Sequence, residues 1–312
     1  MMDPNYKNPY SQQWNVGYSK QLTDSSVIEV EYVHELGLRE SKRANPNPKR
    51  VALSGGRPLD AAFDAAKLPR LANIALEESV GHSRYDALNV AYRRRMSRRF
   101  SVNTNQVLSR ALAYNGNSAA FGNTASDPDN MFVSYDLGPT PNDERHRWVV
   151  SGLVDLPKGI QIAPIMQWAS ARPYTATQGL DWYGFGSGVG TAHLVLLKDR
   201  MTDLTATKDY SAAQLRDCVA QSTCVVSGYN MLRGKTLYQL DARISKDVRL
   251  GETARLKLLF QAFDLTNRAN FGSNFVGNVR STTFQQPNGF ITPGGVIVPR
   301  SFSGEIGAQF TF

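Results

Sequence analysis

The chain has 312 residues and a formal net charge of +8, from 35 Lys and Arg against 27 Asp and Glu. It contains no apolar run of about 18 residues or more, so no membrane-spanning helix is predicted. The basic residues are densest at 93–99, but no zinc-ligand spacing, phosphate-binding loop or recognition helix accompanies them. The sequence therefore predicts a solvated basic turn at a membrane rim, where it could touch lipid phosphates, and no nucleic-acid partner.

Nine amphipathic segments indicate an all-β fold. We predict strands at residues 10–20, 25–37, 82–95, 98–113, 144–156, 158–170, 235–246, 253–265 and 302–312. Short connections near 21–24, 96–97, 157–159 and 250–252 alternate with long ones at 38–81, 114–143, 171–234 and 266–301. This alternation is typical of an antiparallel up-and-down transmembrane β-barrel, with tight turns at one rim and long loops at the other. A soluble β-sandwich mixes its loop lengths more freely.

Period-two alternation is clearest at residues 235–246. One face carries Tyr238, Leu240, Ala242 and Ile244, and the other carries Gln239, Asp241, Arg243 and Ser245. In a membrane barrel the first set would face lipid and the second a polar lumen. A half-buried soluble sheet alternates in the same way. Segment length favours the barrel, because several segments reach the roughly 9–11 residues that cross a bilayer at a tilt.

The last predicted strand alternates as far as the final residue of the sequence. Ile306, Ala308, Phe310 and Phe312 share one face of it. This pattern resembles the C-terminal assembly signal of bacterial outer-membrane proteins and implies recognition by the barrel-assembly machinery. The resulting expectation is localisation in the outer membrane of a Gram-negative-type bacterium, in contact with its lipid.

Two cysteines, Cys218 and Cys224, lie six residues apart in the longest predicted loop. A pair confined to one exposed loop predicts a local disulfide in an oxidising compartment. A metal site would need further ligands, and His193 is the only histidine of that loop. The sequence therefore favours a disulfide, and no metal or cofactor is predicted.

The alternation of short and long connections also predicts which end of each strand faces the periplasm. Short turns of single-chain bacterial barrels lie in the periplasm, which places the C-terminus there and the start of strand 10–20 at the outer surface. Nine strands are an odd number, whereas these barrels have an even number. An incomplete barrel would leave two edges in lipid without hydrogen-bond partners. We therefore expect residues 1–312 to be the C-terminal part of a longer barrel, without its signal peptide.

Four stretches resemble a known family, the TonB-dependent outer-membrane receptors, and in particular their Oar-like group. They are NPYSQQWNVG at 8–17, HSRYDALNV at 82–90, SARPYT at 170–175, and LDARISK at 240–246 followed by FDLTNRANF at 263–271. The resemblance spans nearly the whole chain. It implies part of a 22-stranded barrel whose N-terminal plug lies outside this chain. It further implies that the outer loops capture an unknown substrate and that TonB, acting through the missing part, energises import.

No catalytic constellation is apparent, and we predict that the chain is not an enzyme. The four histidines are scattered, and the glycine-rich segment 184–190 lacks the Lys-Ser/Thr ending of a phosphate-binding loop. Asn267 and Asn270 are interpreted as turn residues that bond local backbone.

Tyr174, Trp182 and Tyr183, in the longest loop, are the candidate ligand-contact residues, although rim aromatics or loop packing would explain them equally. Two other functions remain open. One is a small passive channel or adhesin barrel, and the other is a soluble extracellular β-sandwich.

Overall fold

One antiparallel sheet dominates the computed structural model, which describes residues 1–48, 56–97, 99–114, 126–127, 130–184, 192–291 and 301–312. In chain order the strands are β1 (Tyr10–Thr23), β2 (Ser26–Ala44), β3 (Leu76–Ser97), β4 (Phe100–Tyr114), β5 (Leu137–Pro139), β6 (His146–Leu156), β7 (Ile160–Ala169), β8 (Pro173–Tyr174), β9 (Val195–Leu197), β10 (Cys224–Val226), β11 (Leu232–Arg233), β12 (Leu237–Arg249), β13 (Arg255–Phe263) and β14 (Ser303–Thr311). The nine long strands confirm the nine predicted segments.

The sheet has the order β1-β2-β3-β4-β6-β7-β12-β13-β14, and β5 adds to β4. Each long strand pairs with the next one along the chain, as an up-and-down barrel requires. The short turns lie at one edge, here called the turn edge, and the long connections lie at the other, the loop edge. The sheet is a single open layer bounded by β1 and β14, not the two packed sheets of a sandwich.

Local backbone geometry explains the tight turns. Residues Pro157–Gly159 join β6 to β7, with positive φ angles of 67° at Lys158 and 73° at Gly159. Only glycine adopts such angles without strain, so the backbone of Lys158 is strained in this turn. Between β12 and β13, Gly251 has a φ of 106°, and Leu250 N donates to Ala254 O at 2.9 Å.

The strand register collects the apolar residues on one face of the sheet. One row across the strands reads Tyr18, Val30, Val90, Gln106, Trp148, Trp168 and Tyr238. A row nearer the turn edge reads Phe100, Val154, Ile162, Ile244, Phe260 and Ile306. We call this side the apolar face. Its large side chains are exposed in the isolated chain, with Val16 at 68% and Ile306 at 87%. Such exposure indicates a surface that contacts another apolar phase.

The opposite side, the polar face, carries hydrogen-bonded side chains that join neighbouring strands. Asn15 Nδ2 donates to Glu31 Oε1 at 2.5 Å across β1 and β2. At the other end of the sheet, Arg243 Nε donates to Gln261 Oε1 at 2.9 Å, and Gln261 Nε2 donates to Glu305 Oε2 at 3.3 Å. The predicted period-two division between apolar and polar sides is thus confirmed.

The strands β2 and β3 extend beyond their predicted ends at the loop edge. Their added pairs include Lys42 with Glu78 and Arg43 with Glu77. Glu77 accepts from Ser41 Oγ and from Arg43 Nε, each at 2.6 Å. Sequence periodicity missed this extension because both faces of it are polar.

Two short helices lie in the long connections, α1 (Asp60–Ala65) and α2 (Ala212–Ala220). Helix α1 ends before Pro69, a residue that cannot continue a helix. Within the described ranges, neither helix has the length and apolar character that a transmembrane helix needs.

Candidate functional site

The long connections pack against one another at the loop edge. We call the described parts of 126–145, 170–236 and 264–291 the loop layer. One apolar core in it is formed by Trp182, Ala192, Val195, Leu215 and Cys224. A second core joins Ala176, Leu194 and Leu196 to Val279 of the last long connection. These loops therefore form a packed layer with its own interior.

Helix α2 is fixed at both ends. Ser211 and Gln214 form a capping box, in which Gln214 N donates to Ser211 Oγ at 3.3 Å and Ser211 N donates to Gln214 Oε1 at 2.8 Å. Leu215 is fully buried and packs in the first apolar core of the loop layer, so its side of α2 faces that core. One turn later, Cys218 forms a disulfide with Cys224, the first residue of β10.

Replacing both Cys218 and Cys224 by alanine is expected to destabilise the loop layer by about 2 kcal/mol, because a short cross-link removes little chain entropy from the unfolded state. Hydrogen–deuterium exchange of α2 and β10 measures the change. The reduced wild-type protein is the control and should match the double variant. Unchanged exchange in both samples would show that this link contributes nothing to loop stability.

A buried polar contact ties two long connections together. His193 and Asp136 have fully buried side chains, and His193 Nε2 lies 2.8 Å from Asp136 Oδ1. Asp136 Oδ1 also accepts from Ser126 Oγ at 2.6 Å. His193 Nδ1 lies 2.9 Å from the carbonyl oxygen of Ser227. A carbonyl only accepts, so Nδ1 carries a hydrogen. No sequence pattern reveals this pair, because 57 residues separate its members in the chain.

Ion pairs connect the strand ends to the loop layer. Glu144 lies between Arg147 and Arg172, with both nitrogen–oxygen distances at 2.7 Å. The carboxylate of Asp143 is fully buried and lies 3.1 Å from Arg233. Charge-assisted bonds of this kind hold loops in one arrangement over the barrel rim.

The asparagines interpreted as local turn residues make long-range contacts instead. Asn270 Oδ1 accepts from Tyr238 N at 3.0 Å, and Asn270 Nδ2 donates to Tyr238 O at 3.1 Å. Asn267 has a φ of 48°, as a turn residue would, but its Oδ1 accepts from Phe302 N at 2.9 Å. The interpretation of local bonding was wrong. The side chains continue the hydrogen-bond ladder at strand ends, and sequence alone gives no partner for them.

The three candidate ligand-contact residues take part in the packing of the loop layer. Trp182 is only 4% exposed, and its Nε1 donates to His193 O at 2.9 Å. Tyr183 stacks on Trp182 with ring centroids 4.0 Å apart, and burial raises the pKa of Tyr183. The half-buried Tyr174 stacks on Phe275 at 5.5 Å. Residues 185–190 of the glycine-rich segment lie outside the described residues.

A cavity of about 420 Å³ opens near the loop edge of β1 to β4. Its lining includes Ser11, Glu35, Glu40, Ser83 and Tyr85. Ser83 Oγ donates to Glu40 Oε1 at 2.6 Å. In the described parts of the chain, no group of three or more His, Cys, Asp or Glu side chains could hold a metal ion. The cavity offers hydroxyl groups and carboxylates to a solute on the polar face.

Sequence comparison supplies the family. Residues 1–300 match the family described as "Outer membrane beta barrel domain". The chain belongs to this family. The barrel resembles the outer-membrane transporter YddB from Escherichia coli at 14% identity and a TM-score of 0.50, over 85% of this chain and 30% of that one. The comparison with curated proteins finds no match.

Two receptor structures are similar to this barrel at lower scores. The ferric-catecholate import receptor Fiu from E. coli K12 has 10% identity and a TM-score of 0.48, over 99% of this chain and 28% of that one. The ferric yersiniabactin uptake receptor FyuA from Yersinia pestis has 9% identity and a TM-score of 0.42, over 97% and 29%. The barrel described here thus spans less than a third of the length of each.

Family and fold together establish an outer-membrane β-barrel. Lipid is therefore the apolar phase that the apolar face contacts. The polar face is the lumen side.

Proposed function

We propose that residues 1–312 form the C-terminal part of the barrel of a TonB-dependent receptor of the Oar-like group. In the whole protein, the outer loops capture a ligand and a plug-gated step imports it. The packed loop layer at one edge of a polar-lined sheet carries this proposal, because it presents an ordered surface at the mouth of a lumen. A passive channel has no need of such a packed layer over its mouth.

The proposed orientation places the loop edge outside the cell and the turn edge and C-terminus in the periplasm. The disulfide in the loop layer supports export of the chain from the cytoplasm, since disulfides persist both in the periplasm and at the cell surface. Ile306, Ala308, Phe310 and Phe312 remain the proposed assembly signal for the barrel-assembly machinery. The first three lie on the apolar face of β14, where Ile306 is opposite Phe260.

Ligand contact is proposed for the lumen-side cavity near Glu40 and for the half-buried Tyr174. Tyr183 is a weaker candidate, and the buried Trp182 would act by holding Tyr183 in place. The hydroxyl groups and carboxylates of the cavity suit a polar organic solute, and the ring of Tyr174 offers a separate contact in the loop layer. A plug domain would complete the cavity and, with TonB, would open it.

Surface labelling tests the orientation. The cysteine variant of the exposed loop residue Asp209 is expected to react with a membrane-impermeant maleimide on intact cells. The matched variant of Asp24, an exposed residue of the turn edge, should react only after the outer membrane is permeabilised. The described part of the chain has no free cysteine to interfere. The reverse labelling pattern would invert the proposed topology.

The size and partner of the native protein test the import step. Protein extracted from outer membranes is expected to migrate well above the 34.5 kDa of this chain and to be retained by the immobilised periplasmic domain of TonB. A band near 34.5 kDa that TonB does not retain would contradict the receptor proposal and favour a small channel or adhesin.

A further inference from the structure

A groove runs along the apolar face between β4, β6 and β7. Its volume is about 510 Å³, and its walls include Phe100, Val102, Val150 and Met166. Gly152 lies opposite Val102 and leaves the groove open at its centre, because it has no side chain. The groove is therefore an apolar channel on the side of the barrel that contacts lipid.

The ends of the groove are ordered and differ in chemistry. At the end nearer the loop edge, Trp148 Nε1 donates to Thr104 Oγ1 at 2.7 Å, which holds the indole against the sheet. At the turn edge, the guanidinium of Arg94 lies over the ring of Phe100, 4.5 Å from its centroid. Phe100 thus belongs both to the groove and to the site of a fixed cation.

The charge of Arg94 lies on the apolar face. Its register partners are Ser26 on β2 and Val102 on β4, which are close to the turn edge. Within the described residues, Arg94 Nε is buried and has no hydrogen-bond partner. The residue as a whole is only partly buried, so the other guanidinium nitrogens are the ones that can donate to an acceptor outside the chain.

The surrounding charges on this face share the same sign. Lys20 lies in the row of Ile28 and Tyr92, and Lys246 lies in the row of Ile160 and Leu258. Both rows are in the turn-edge half of the apolar face. Among the described residues, the charged side chains of that half are therefore all cations, which suit the phosphates of a lipid headgroup layer.

We infer that Arg94 and the groove from Phe100 to Trp148 form a binding site for one phospholipid molecule of the bilayer. The phosphate accepts hydrogen bonds from the Arg94 guanidinium, and one acyl chain occupies the groove. Arginine suits this role because its planar donors match phosphate oxygens while its face stacks on an aromatic ring. Under the proposed orientation, the lipid belongs to the periplasmic leaflet, but the site itself needs only the outer-membrane fold.

Native mass spectrometry of the whole protein, purified from outer membranes in a mild detergent, tests the site. Titration with phosphatidylglycerol is expected to give one tight adduct, and diacylglycerol with the same chains should bind at least tenfold more weakly. This comparison uses the wild-type protein and does not depend on the folding of a variant. Equal binding of the two lipids would overturn the assignment of phosphate to Arg94.

Single substitutions distinguish the contribution of the lipid headgroup to binding from that of the acyl chain. Arg94→Gln should weaken phosphatidylglycerol binding about tenfold, whereas Arg95→Gln, the same charge change on the next residue, should leave it unchanged. Arg95 faces the opposite side of the sheet and contacts the rim of another cavity. Val150→Phe narrows the groove and should also remove the adduct, although it keeps every charge. Equal losses of phosphatidylglycerol binding in the Arg94 and Arg95 variants would show that the lipid responds only to the overall positive charge of the turn edge. Full binding by the Val150 variant would show that no chain occupies the groove. Heat-modifiable gel migration verifies that each variant is folded.

Discussion

Replacing His193 by alanine is expected to destabilise the loop layer by about 1–3 kcal/mol for each buried polar group that loses its partner. His193 and Asp136 are both fully buried and 2.8 Å apart. The substitution leaves the carboxylate of Asp136 in the interior with Ser126 as a remaining donor. It also frees the carbonyl of Ser227, which accepts from His193 Nδ1. Each orphaned group adds a desolvation penalty.

Hydrogen–deuterium exchange measures this loss residue by residue. The amides of Leu194 and Val195 should exchange much faster in the His193→Ala variant, while those of the barrel strands should keep wild-type rates. The matched control is Asp199→Asn. This substitution breaks a loop ion pair whose side chains are 66% and 74% exposed, and such pairs contribute little. Equal protection in the His193 variant and the wild type would show that the buried pair does not hold the two connections together.

The sequence predicted the strands well because the barrel wall obeys a local rule. Each residue of β12 alternates between two environments, so Leu240 and Asp241 identify their faces without reference to any other strand. The turns follow from similarly local chemistry, as at Gly159 and Gly251. The extension of β2 past residue 37 was not predicted. Pairs such as Arg43 with Glu77 are polar, so this part of the strand shows no apolar–polar alternation.

The loop layer was not predictable in the same way. Strands β9 and β10 have three residues each, too few to show a period. Trp182 was assigned to ligand contact from its position in a long loop, yet its exposed fraction depends on Val195 and Leu215, which lie far along the chain. His193 and Asp136 belong to different connections, and no spacing relates them.

The lipid groove was predictable only in part, less than the strands and more than the loop layer. Alternation within each strand determines which face its residues occupy. The groove itself arises only when register sets Gly152 of β6 beside Val102 of β4. Cross-strand neighbours depend on turn lengths and bulges, which a single sequence specifies less strictly than it specifies faces. The basic run at 93–99 was interpreted as a solvated turn, and the structure shows that the side chain of Arg94 lies over Phe100 on the apolar face.

The division of the sheet into an apolar and a polar face can be tested by adding the same charge to each face. Ile244→Arg is expected to destabilise the folded barrel by about 2–4 kcal/mol, because it places a charge in the middle of the lipid-facing band. Ile244 lies close to the midpoint of β12, between Ile162 and Phe260 in its row, and is exposed on the apolar face.

The matched control is Asn105→Arg, which adds the same side chain to the polar face, in the row of Ala91 and Val149. Asn105 is exposed, so the new charge would meet the aqueous lumen, and stability should stay close to wild type. Urea unfolding of the whole protein in lipid vesicles, followed by tryptophan fluorescence, compares the two variants. Equal losses would mean that both faces are buried in protein or both are wet. The assignment of one side to lipid and the other to a lumen would then fail, and with it the barrel function that depends on a polar passage.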